Sequence, residues 1–178
     1  MPAPNAGSDT MHPTTMEVRG DREIVMTRLL NGPPHIVFKA YTEPEFVRRW
    51  WAPKSLGVSL LSCDADVRAG GRYRYVLLHR TGGHLGFSGR YTEVTPYTRI
   101  VYTQVFEPNA SEPNAPEPAE SEYAVVTVTF EEREGKTLLT SHELYPSKAV
   151  RDGVVASGME KGMRETMDQL DELVASLR

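Results

Sequence analysis

Residues 147–177 constrain the fold more than any other part of the chain, because their pattern predicts one long amphipathic helix after a series of strands. Ser147 is placed to cap the start of this helix. Gly153, Gly158 and Gly162 lower the helix propensity, which indicates a bend or a close approach of the backbone to a sheet. The apolar stripe that must be buried comprises Val155, Met159, Met163, Met167, Leu170, Val174 and Leu177.

The chain before this helix predicts strands joined by short turns. Glycine or proline stands at most of these turns, where a positive or a fixed φ is needed. Consecutive strands with short links favour an antiparallel meander. Two short helices, over residues 35–41 and 42–51, follow the first strand. The predicted strands are residues 23–30, 57–67, 72–79, 85–94, 99–106, 123–132 and 136–144.

This order of elements predicts an α+β protein with the helix-grip fold. One amphipathic helix has to be buried against a single face of the antiparallel sheet. A curved sheet of about seven strands around the long C-terminal helix leaves a cavity between the two. The two short helices carry both tryptophans of the chain, Trp50 and Trp51, and indole rings usually lie in a core or in the wall of a pocket.

Composition limits the class of protein. A chain of 178 residues is long enough for one domain, and a net charge of −4 with scattered Lys and Arg gives no reason to expect nucleic acid binding. The single cysteine, Cys63, fits a reducing cytoplasm, and the sequence contains no apolar run long enough for a membrane span. We expect a cytoplasmic protein with a disordered leader at residues 1–20, a domain at 21–178, and a flexible Pro- and Glu-rich loop at 107–121.

Several short motifs resemble the activator-of-heat-shock-protein-ATPase-like branch of the START-like superfamily, which is also called SRPBCC or Bet v 1-like. They occur in the order and spacing of that family from about Arg22 to the C-terminus. Two departures stand out: the position of Met163 often carries tryptophan in the family, and the 107–121 insertion is longer than usual. The motifs are Val37-Phe38, Thr42-Glu43-Pro44-Glu45, Trp50-Trp51-Ala52-Pro53, Asp66-Val67-Arg68-Ala69-Gly70-Gly71-Arg72, Gly89-Arg90-Tyr91-Thr92-Glu93-Val94, Arg99-Ile100-Val101-Tyr102-Thr103 and Ser157-Gly158-Met159-Glu160-Lys161-Gly162-Met163.

The resemblance implies the helix-grip fold and a deep hydrophobic cavity, but it does not imply one activity. Relatives include lipid and hormone carriers, polyketide cyclases and aromatases, proteins that sequester toxic metabolites, and domains that bind a chaperone. We therefore expect a bacterial protein that binds a small hydrophobic or amphipathic molecule between the sheet and the C-terminal helix. The alternatives are a cyclase-, aromatase- or hydrolase-like enzyme that uses the same cavity, and a protein-interaction domain similar to a co-chaperone. A homodimer is compatible with each of them.

Candidate ligand-binding residues come from the aromatic, methionine and strand positions. Plain core packing explains the aromatic and methionine side chains equally well, and polar strand residues are also typical of a solvated outer face. His142 and Glu143 are adjacent on a strand, so they face opposite ways and cannot both line one cavity. The candidates are Trp50, Trp51, Tyr75, Tyr102, His142, Met159 and Met163.

Motifs for metal, nucleotide or nucleophilic chemistry do not emerge from the sequence. His79 and His84 flank a predicted hairpin, but no third ligand stands at a suitable spacing. Gly70-Gly71 is a turn rather than a phosphate loop, and Cys63 has no recognisable base partner. We predict no metal and no cofactor, assign no catalytic residue, and favour a binding protein over an enzyme.

Overall fold

The protein is described by a computed structural model that covers residues 11–110 and 118–178. Its elements follow the predicted order of strand, two short helices, meander and C-terminal helix. Short 3-10 turns lie at Lys54–Leu56 and Glu120–Glu122. The strands and helices are β1 (Thr15–Arg19), β2 (Glu23–Leu30), α1 (Pro34–Thr42), α2 (Pro44–Trp50), β3 (Val58–Ala65), β4 (Arg72–His79), β5 (His84–Thr95), β6 (Arg99–Glu107), β7 (Ala124–Arg133), β8 (Lys136–Leu144), α3 (Lys148–Ala156) and α4 (Met159–Leu177).

The strands form one antiparallel sheet of eight strands in the order β1-β2-β8-β7-β6-β5-β4-β3. The meander from β3 to β8 ends beside β2, so the crossover that carries α1 and α2 connects the β2 side of the sheet to its far edge. Side chains on β7 alternate as predicted, with Val126, Val128 and Phe130 buried under the helices. The α+β helix-grip architecture predicted from the sequence is confirmed.

The eighth strand corrects the predicted leader. Residues 15–19 were expected to be disordered, but they pair with β2, with Thr15 opposite Thr27 and Arg19 opposite Glu23. The strand is short and mostly exposed, so it carries no hydrophobic periodicity that the sequence could reveal. Tertiary contacts order it instead, because the buried Arg28 donates a hydrogen bond to Thr14 Oγ1 at 3.0 Å. The first half of the predicted leader, residues 1–10, lies outside the described residues.

The C-terminal helical segment is divided into two helices. Ser147 caps α3 as predicted, since its side chain accepts a hydrogen bond from the backbone N–H of Val150. Gly158 adopts the left-handed conformation with a φ of 77° and separates α3 from α4. Glycine tolerates this conformation because it lacks a Cβ atom. The predicted bend is therefore confirmed, while the prediction of one uninterrupted helix is wrong.

The predicted flexible loop at 107–121 is described only at its two ends. Glu107 is the last residue of β6, and its carboxylate accepts a hydrogen bond from Arg74 Nε at 3.1 Å. The backbone N–H of Ala110 donates to the carbonyl of His84. These contacts attach residues 107–110 to the sheet, and residues 111–117 lie outside the described part of the chain.

Candidate functional site

Aromatic side chains surround a small interior space between the α1–α2 layer and strands β4, β5 and β6. The space offers about 20 Å³ to the centre of a water molecule, which is room for about one water. Helix α4 contributes none of the residues around it, so the cavity lies under the short helices rather than under the long one. We call it the aromatic cavity, and it is lined by Tyr41, Trp50, Trp51, Tyr73, Tyr75, Tyr91, Ile100, Tyr102 and Gln104.

Strand alternation places most of these side chains in the cavity. Tyr73 and Tyr75 are separated by one residue on β4, and Ile100, Tyr102 and Gln104 follow the same period of two on β6. Neighbouring strands bring them together, because Tyr91 on β5 lies directly opposite Tyr102 on β6. The side chains that alternate with them, such as Arg72 and Arg74, therefore lie on the other face of the sheet.

The tyrosine hydroxyl groups form hydrogen bonds inside the cavity wall. Tyr41 and Tyr102 place their hydroxyl oxygens 3.4 Å apart, and the Tyr73 hydroxyl donates to the backbone carbonyl of Thr103 at 2.7 Å. The Tyr73 and Tyr102 rings also pack edge to face, with their centroids 5.5 Å apart. The wall is thus apolar in bulk, with hydroxyl groups at fixed positions.

Burial determines the protonation state of these hydroxyls. It raises the pKa of Tyr41 and the pKa of Tyr91 to about 12, because the phenolate would lose its hydration. Burial likewise raises the pKa of Tyr73, of Tyr75 and of Tyr102 well above its ordinary value. All five hydroxyls are therefore protonated near neutral pH. The Tyr73 hydrogen is already donated to the Thr103 carbonyl, whereas the pair of Tyr41 and Tyr102 uses only one of its two hydrogens.

Four of the seven predicted ligand-binding residues line the aromatic cavity. Trp50 is buried, and its indole N–H donates to the backbone carbonyl of Ala40 at 2.9 Å, so it also holds α1 and α2 together. Trp51 packs edge-on against Tyr75, with ring centroids 5.0 Å apart. Tyr102 contacts the rings of both Tyr73 and Tyr91 on the sheet side.

The other three predicted residues do not line this cavity. His142 lies on the opposite face of β8, where its Nε2 is 2.6 Å from a Glu23 carboxylate oxygen. Met159 packs against the small cluster around Ile24, and Met163 packs against the main core. The period of two explains the position of His142, because it is Glu143 that faces the interior.

Glu143 is an interior carboxyl group that the sequence analysis considered beside His142 but did not include among the candidate ligand-binding residues. The hydroxyl of Tyr145 donates to Glu143 Oε2 at 2.5 Å. Burial raises the pKa of Glu143, and the hydrogen bond from Tyr145 opposes that effect. In the sheet register Glu143 lies opposite Val126, which in turn lies opposite Tyr102. It therefore belongs to the same row of inward side chains as the tyrosines, two strands away.

Sequence reasoning missed Tyr41, Tyr73, Tyr91, Ile100 and Gln104 as lining residues. Tyr73 could have been found, since it shares a strand face with Tyr75. Tyr41 comes from a helix, and its place opposite Tyr102 depends on how α1 lies on the sheet. No local pattern in the sequence reports that packing.

Two side chains of α4 hold the segment that carries Trp51. The Gln169 side-chain amide donates to the carbonyls of Trp50 at 2.8 Å and Ala52 at 2.9 Å, and its oxygen accepts from the Lys54 backbone N–H. One turn earlier, Glu165 accepts a hydrogen bond from the Ser55 backbone N–H at 2.8 Å. We call residues 50–56 the Trp51 segment. It covers one side of the aromatic cavity, and beyond the buried Trp50 it is fastened to α4 by hydrogen bonds.

An aromatic row leads from Trp51 toward the outside. The ring of Phe87 lies 5.1 Å from Trp51, and Phe106 lies 5.2 Å from Phe87. Phe106 is half exposed although it shares the inward face of β6 with Tyr102. Aromatic rings thus connect the wall of the cavity at Trp51 with the half-exposed Phe106.

The fold and its interior define the class as a helix-grip protein of the START-like, or SRPBCC and Bet v 1-like, superfamily. More specifically, the chain belongs to the family of Activator of Hsp90 ATPase homolog 1-like proteins, whose family model matches residues 31–175. The family resemblance predicted from the sequence is confirmed. Comparison with curated proteins yields no match.

Solved structures from several bacteria have a similar fold. A protein from Rhodobacter sphaeroides superposes with a TM-score of 0.80 at 22% identity, over 92% of this chain and 99% of the other. A protein from Staphylococcus epidermidis has a TM-score of 0.73 at 27% identity, over 92% and 95% of the two chains. CalU16 from Micromonospora echinospora has a TM-score of 0.57 at 19% identity, over 93% and 87%.

The described residues also bear on membranes and metals. Within residues 11–110 and 118–178, no helix is long and apolar enough to cross a membrane. The same residues contain no group of three or more His, Cys, Asp or Glu side chains that could hold a metal ion.

Proposed function

We propose that this protein binds a small, uncharged aromatic molecule in the aromatic cavity. The observation that carries the proposal is the convergence of five tyrosines and two tryptophans on one interior space. Flat rings contribute large contact area, and edge-to-face pairs between them add to that stabilisation. The protonated hydroxyl groups of the wall supply hydrogen-bond donors for a carbonyl or hydroxyl oxygen of the ligand.

Binding requires the cavity to enlarge, because an aromatic ring needs more room than one water molecule. A cavity that takes up benzene measures about 150 Å³. Trp51 is the side chain whose movement would provide this volume, since it is partly exposed and borders both the cavity and Phe87. Gln169 and Glu165 hold the Trp51 segment closed in the absence of a ligand. Ligand binding therefore replaces Trp51 contacts with ligand contacts.

The chemistry of the wall favours binding over acid–base catalysis. A general acid or base works best when its pKa lies near the working pH. The tyrosines have raised pKa values, which keep their protons in place, and the nine lining residues include no Asp, Glu, His, Lys or Cys. The cyclase-like and hydrolase-like alternatives need a group of this kind beside the ligand.

Calorimetric titration of the protein with 1-naphthol and with naphthalene tests the proposal. We expect both to bind and 1-naphthol to bind more tightly, because its oxygen can accept a hydrogen bond from a tyrosine. Tyr102→Phe should weaken 1-naphthol binding by about fivefold to tenfold and leave naphthalene unaffected, as expected for one lost hydrogen bond.

Tyr97→Phe is the matched control for that substitution. Tyr97 is exposed and lies outside the cavity, so the variant should bind both compounds like the wild type. The proposal is ruled out if neither compound gives a heat of binding in calorimetry. Neither compound would then shift the NMR signals of the Trp50 and Trp51 indoles.

A further inference from the structure

Gln104 lines the aromatic cavity with a polar side chain that forms no hydrogen bond with its protein neighbours among the described residues. It lies on the inward face of β6 between Tyr102, deeper in the cavity, and the half-exposed Phe106. Among residues 11–110 and 118–178, no hydrogen bond to its side-chain amide is formed. The tyrosine hydroxyls nearby pair with each other or with the backbone, so the amide of Gln104 stands apart from them.

The strand beside Gln104 leaves the amide uncovered. The pairs Ser88 with Val105 and Tyr91 with Tyr102 have the same β5–β6 register, which places Gly89 opposite Gln104. Gly89 has no side chain, and a Cβ atom there would lie 1.8 Å from the carbonyl oxygen of Thr103. Only glycine therefore fits at this position, so the residue of β5 directly opposite Gln104 provides no side chain that could bond to the amide.

Side-chain hydrogen bonds support the backbone beside Gly89. Thr103 Oγ1 accepts from the backbone N–H of Arg90 at 3.0 Å, and the hydroxyl of Tyr73 reaches across β5 to the Thr103 carbonyl. The polar groups around Gly89 are thus satisfied by the protein itself. The side-chain amide of Gln104 is the exception among them, and it faces the cavity.

A primary amide presents an acceptor oxygen and donor hydrogens side by side. Its complement is another group with the same arrangement, such as a carboxamide or a lactam. A carboxylate is a poor fit, because the nine lining residues include no Lys or Arg to offset its lost hydration. The absence of charged side chains among the lining residues therefore favours a neutral ligand.

We propose that Gln104 determines ligand specificity by pairing with a carboxamide or lactam group on an aromatic ring. This inference rests on the proposed function and narrows it to aromatic carboxamides and lactams. The ring lies among Trp51, Tyr75 and Tyr102, and the amide group of the ligand faces Gln104. In this proposal the Gln104 amide contributes to ligand binding and not to the stability of the fold.

The test compares benzamide with acetophenone, which has the same ring and carbonyl but a methyl group in place of the NH₂. Wild-type protein should bind benzamide about tenfold more tightly than acetophenone in calorimetric titrations, because only benzamide can donate to the Gln104 oxygen. Gln104→Met, which has a similar length and no amide, should bind the two compounds equally. Val105→Ala, on the opposite face of the same strand, should keep the wild-type preference.

Stability gives a second readout that needs no ligand. Replacing an unpaired amide by an apolar side chain leaves no polar group without a partner, so Gln104→Met and Gln104→Leu should unfold at the same temperature as the wild type or at a higher one. A lower unfolding temperature for both variants would contradict the inference, because it would assign the amide a structural role.

The outcomes separate the two proposals. If wild-type protein binds benzamide and acetophenone equally, or if Gln104→Met keeps the preference, the role of Gln104 is overturned while the aromatic cavity remains a binding site. If wild-type protein binds neither compound and also fails to bind 1-naphthol, the proposed function fails, and the role of Gln104 fails with it.

Discussion

The two helical layers cover the same face of the sheet but enclose different interiors. Under α4 the interior is sealed, with Leu170 and Val174 fully buried among other apolar side chains. Under α1 and α2 the interior contains tyrosine hydroxyls, the unpaired amide of Gln104 and a small open space. The α4 side stabilises the fold, and the α1–α2 side is where we propose that a ligand binds.

A buried ion cluster illustrates the structural character of the α4 side. Arg28 on β2 is almost fully buried, and it contacts Asp168 at 2.6 Å and Asp171 at 3.2 Å on α4. Asp171 also accepts a hydrogen bond from the Asn31 backbone N–H. Charges in such a place are tolerated only when they are paired and hydrogen-bonded. Here both carboxylates pair with the Arg28 guanidinium, although Arg28 Nε itself has no hydrogen-bond partner in the described part of the chain. The partly exposed amide of Gln104, by contrast, forms no hydrogen bond with the described residues.

The largest expected contrast comes from truncating one large apolar side chain in each region. Leu170→Ala should lower the free energy of unfolding by about 3 kcal/mol, because a fully packed site cannot collapse around the missing atoms. Trp51→Ala removes a larger side chain but should lower it by only about 1–2 kcal/mol, since Trp51 is partly exposed beside an existing space. Urea unfolding of both variants measures the difference, and equal losses would show that the two regions are packed alike.

A smaller effect is expected from loosening the Trp51 segment. Gln169→Ala removes hydrogen bonds to Trp50, Ala52 and Lys54, and should lower the free energy of unfolding by about 1–2 kcal/mol. Amide hydrogen exchange of residues 50–56 should accelerate by about tenfold, while exchange in β7 follows only the global loss. Glu172→Ala, at an exposed position of the same helix, is the control and should change neither. Unaltered exchange in Gln169→Ala would mean that other contacts hold the segment closed.

The smallest expected effect concerns pH and the interior carboxyl group. Burial raises the pKa of Glu143 above its ordinary value of 4.5, so the folded protein holds this proton more tightly than the unfolded chain does. The contribution of the protonated Glu143 to stability is complete at pH values below the pKa of the unfolded chain. It is lost as the pH rises through the pKa of the folded protein. We therefore expect the difference in the free energy of unfolding, Glu143→Gln minus wild type, to be more favourable at pH 7 than at pH 4. Urea unfolding of both proteins at both pH values measures it.

An exposed carboxylate provides the control for that experiment. Glu131 lies on the outer side of β7 and is largely exposed, so Glu131→Gln should change stability similarly at both pH values. The interpretation of Glu143 is refuted if the stability of Glu143→Gln relative to wild type is the same at pH 4 and pH 7.

Local patterns in the sequence predicted the elements but not all of their limits. Alternation of Val126, Val128 and Phe130 predicted β7, and Ser147 marked the start of the C-terminal helical segment. Strand β1 escaped prediction because it buries almost no apolar surface and depends on pairing with β2. The break at Gly158 was predicted only as a bend, since glycine signals conformational freedom without specifying which conformation is adopted.

The candidate site divides in the same way. Aromatic residues near the short helices and on the strands identified Trp50, Trp51, Tyr75 and Tyr102, which meet in the cavity. The sequence alone determined that these strands have two faces and that one helix is buried on one side, because periods of 2 and 3.6 residues are local properties. Only the tertiary structure decided that His142 faces outward, that Tyr41 meets Tyr102, and that Gln104 lies opposite Gly89. Those relations depend on strand register and helix docking, which join residues far apart in the chain and leave no local pattern in it.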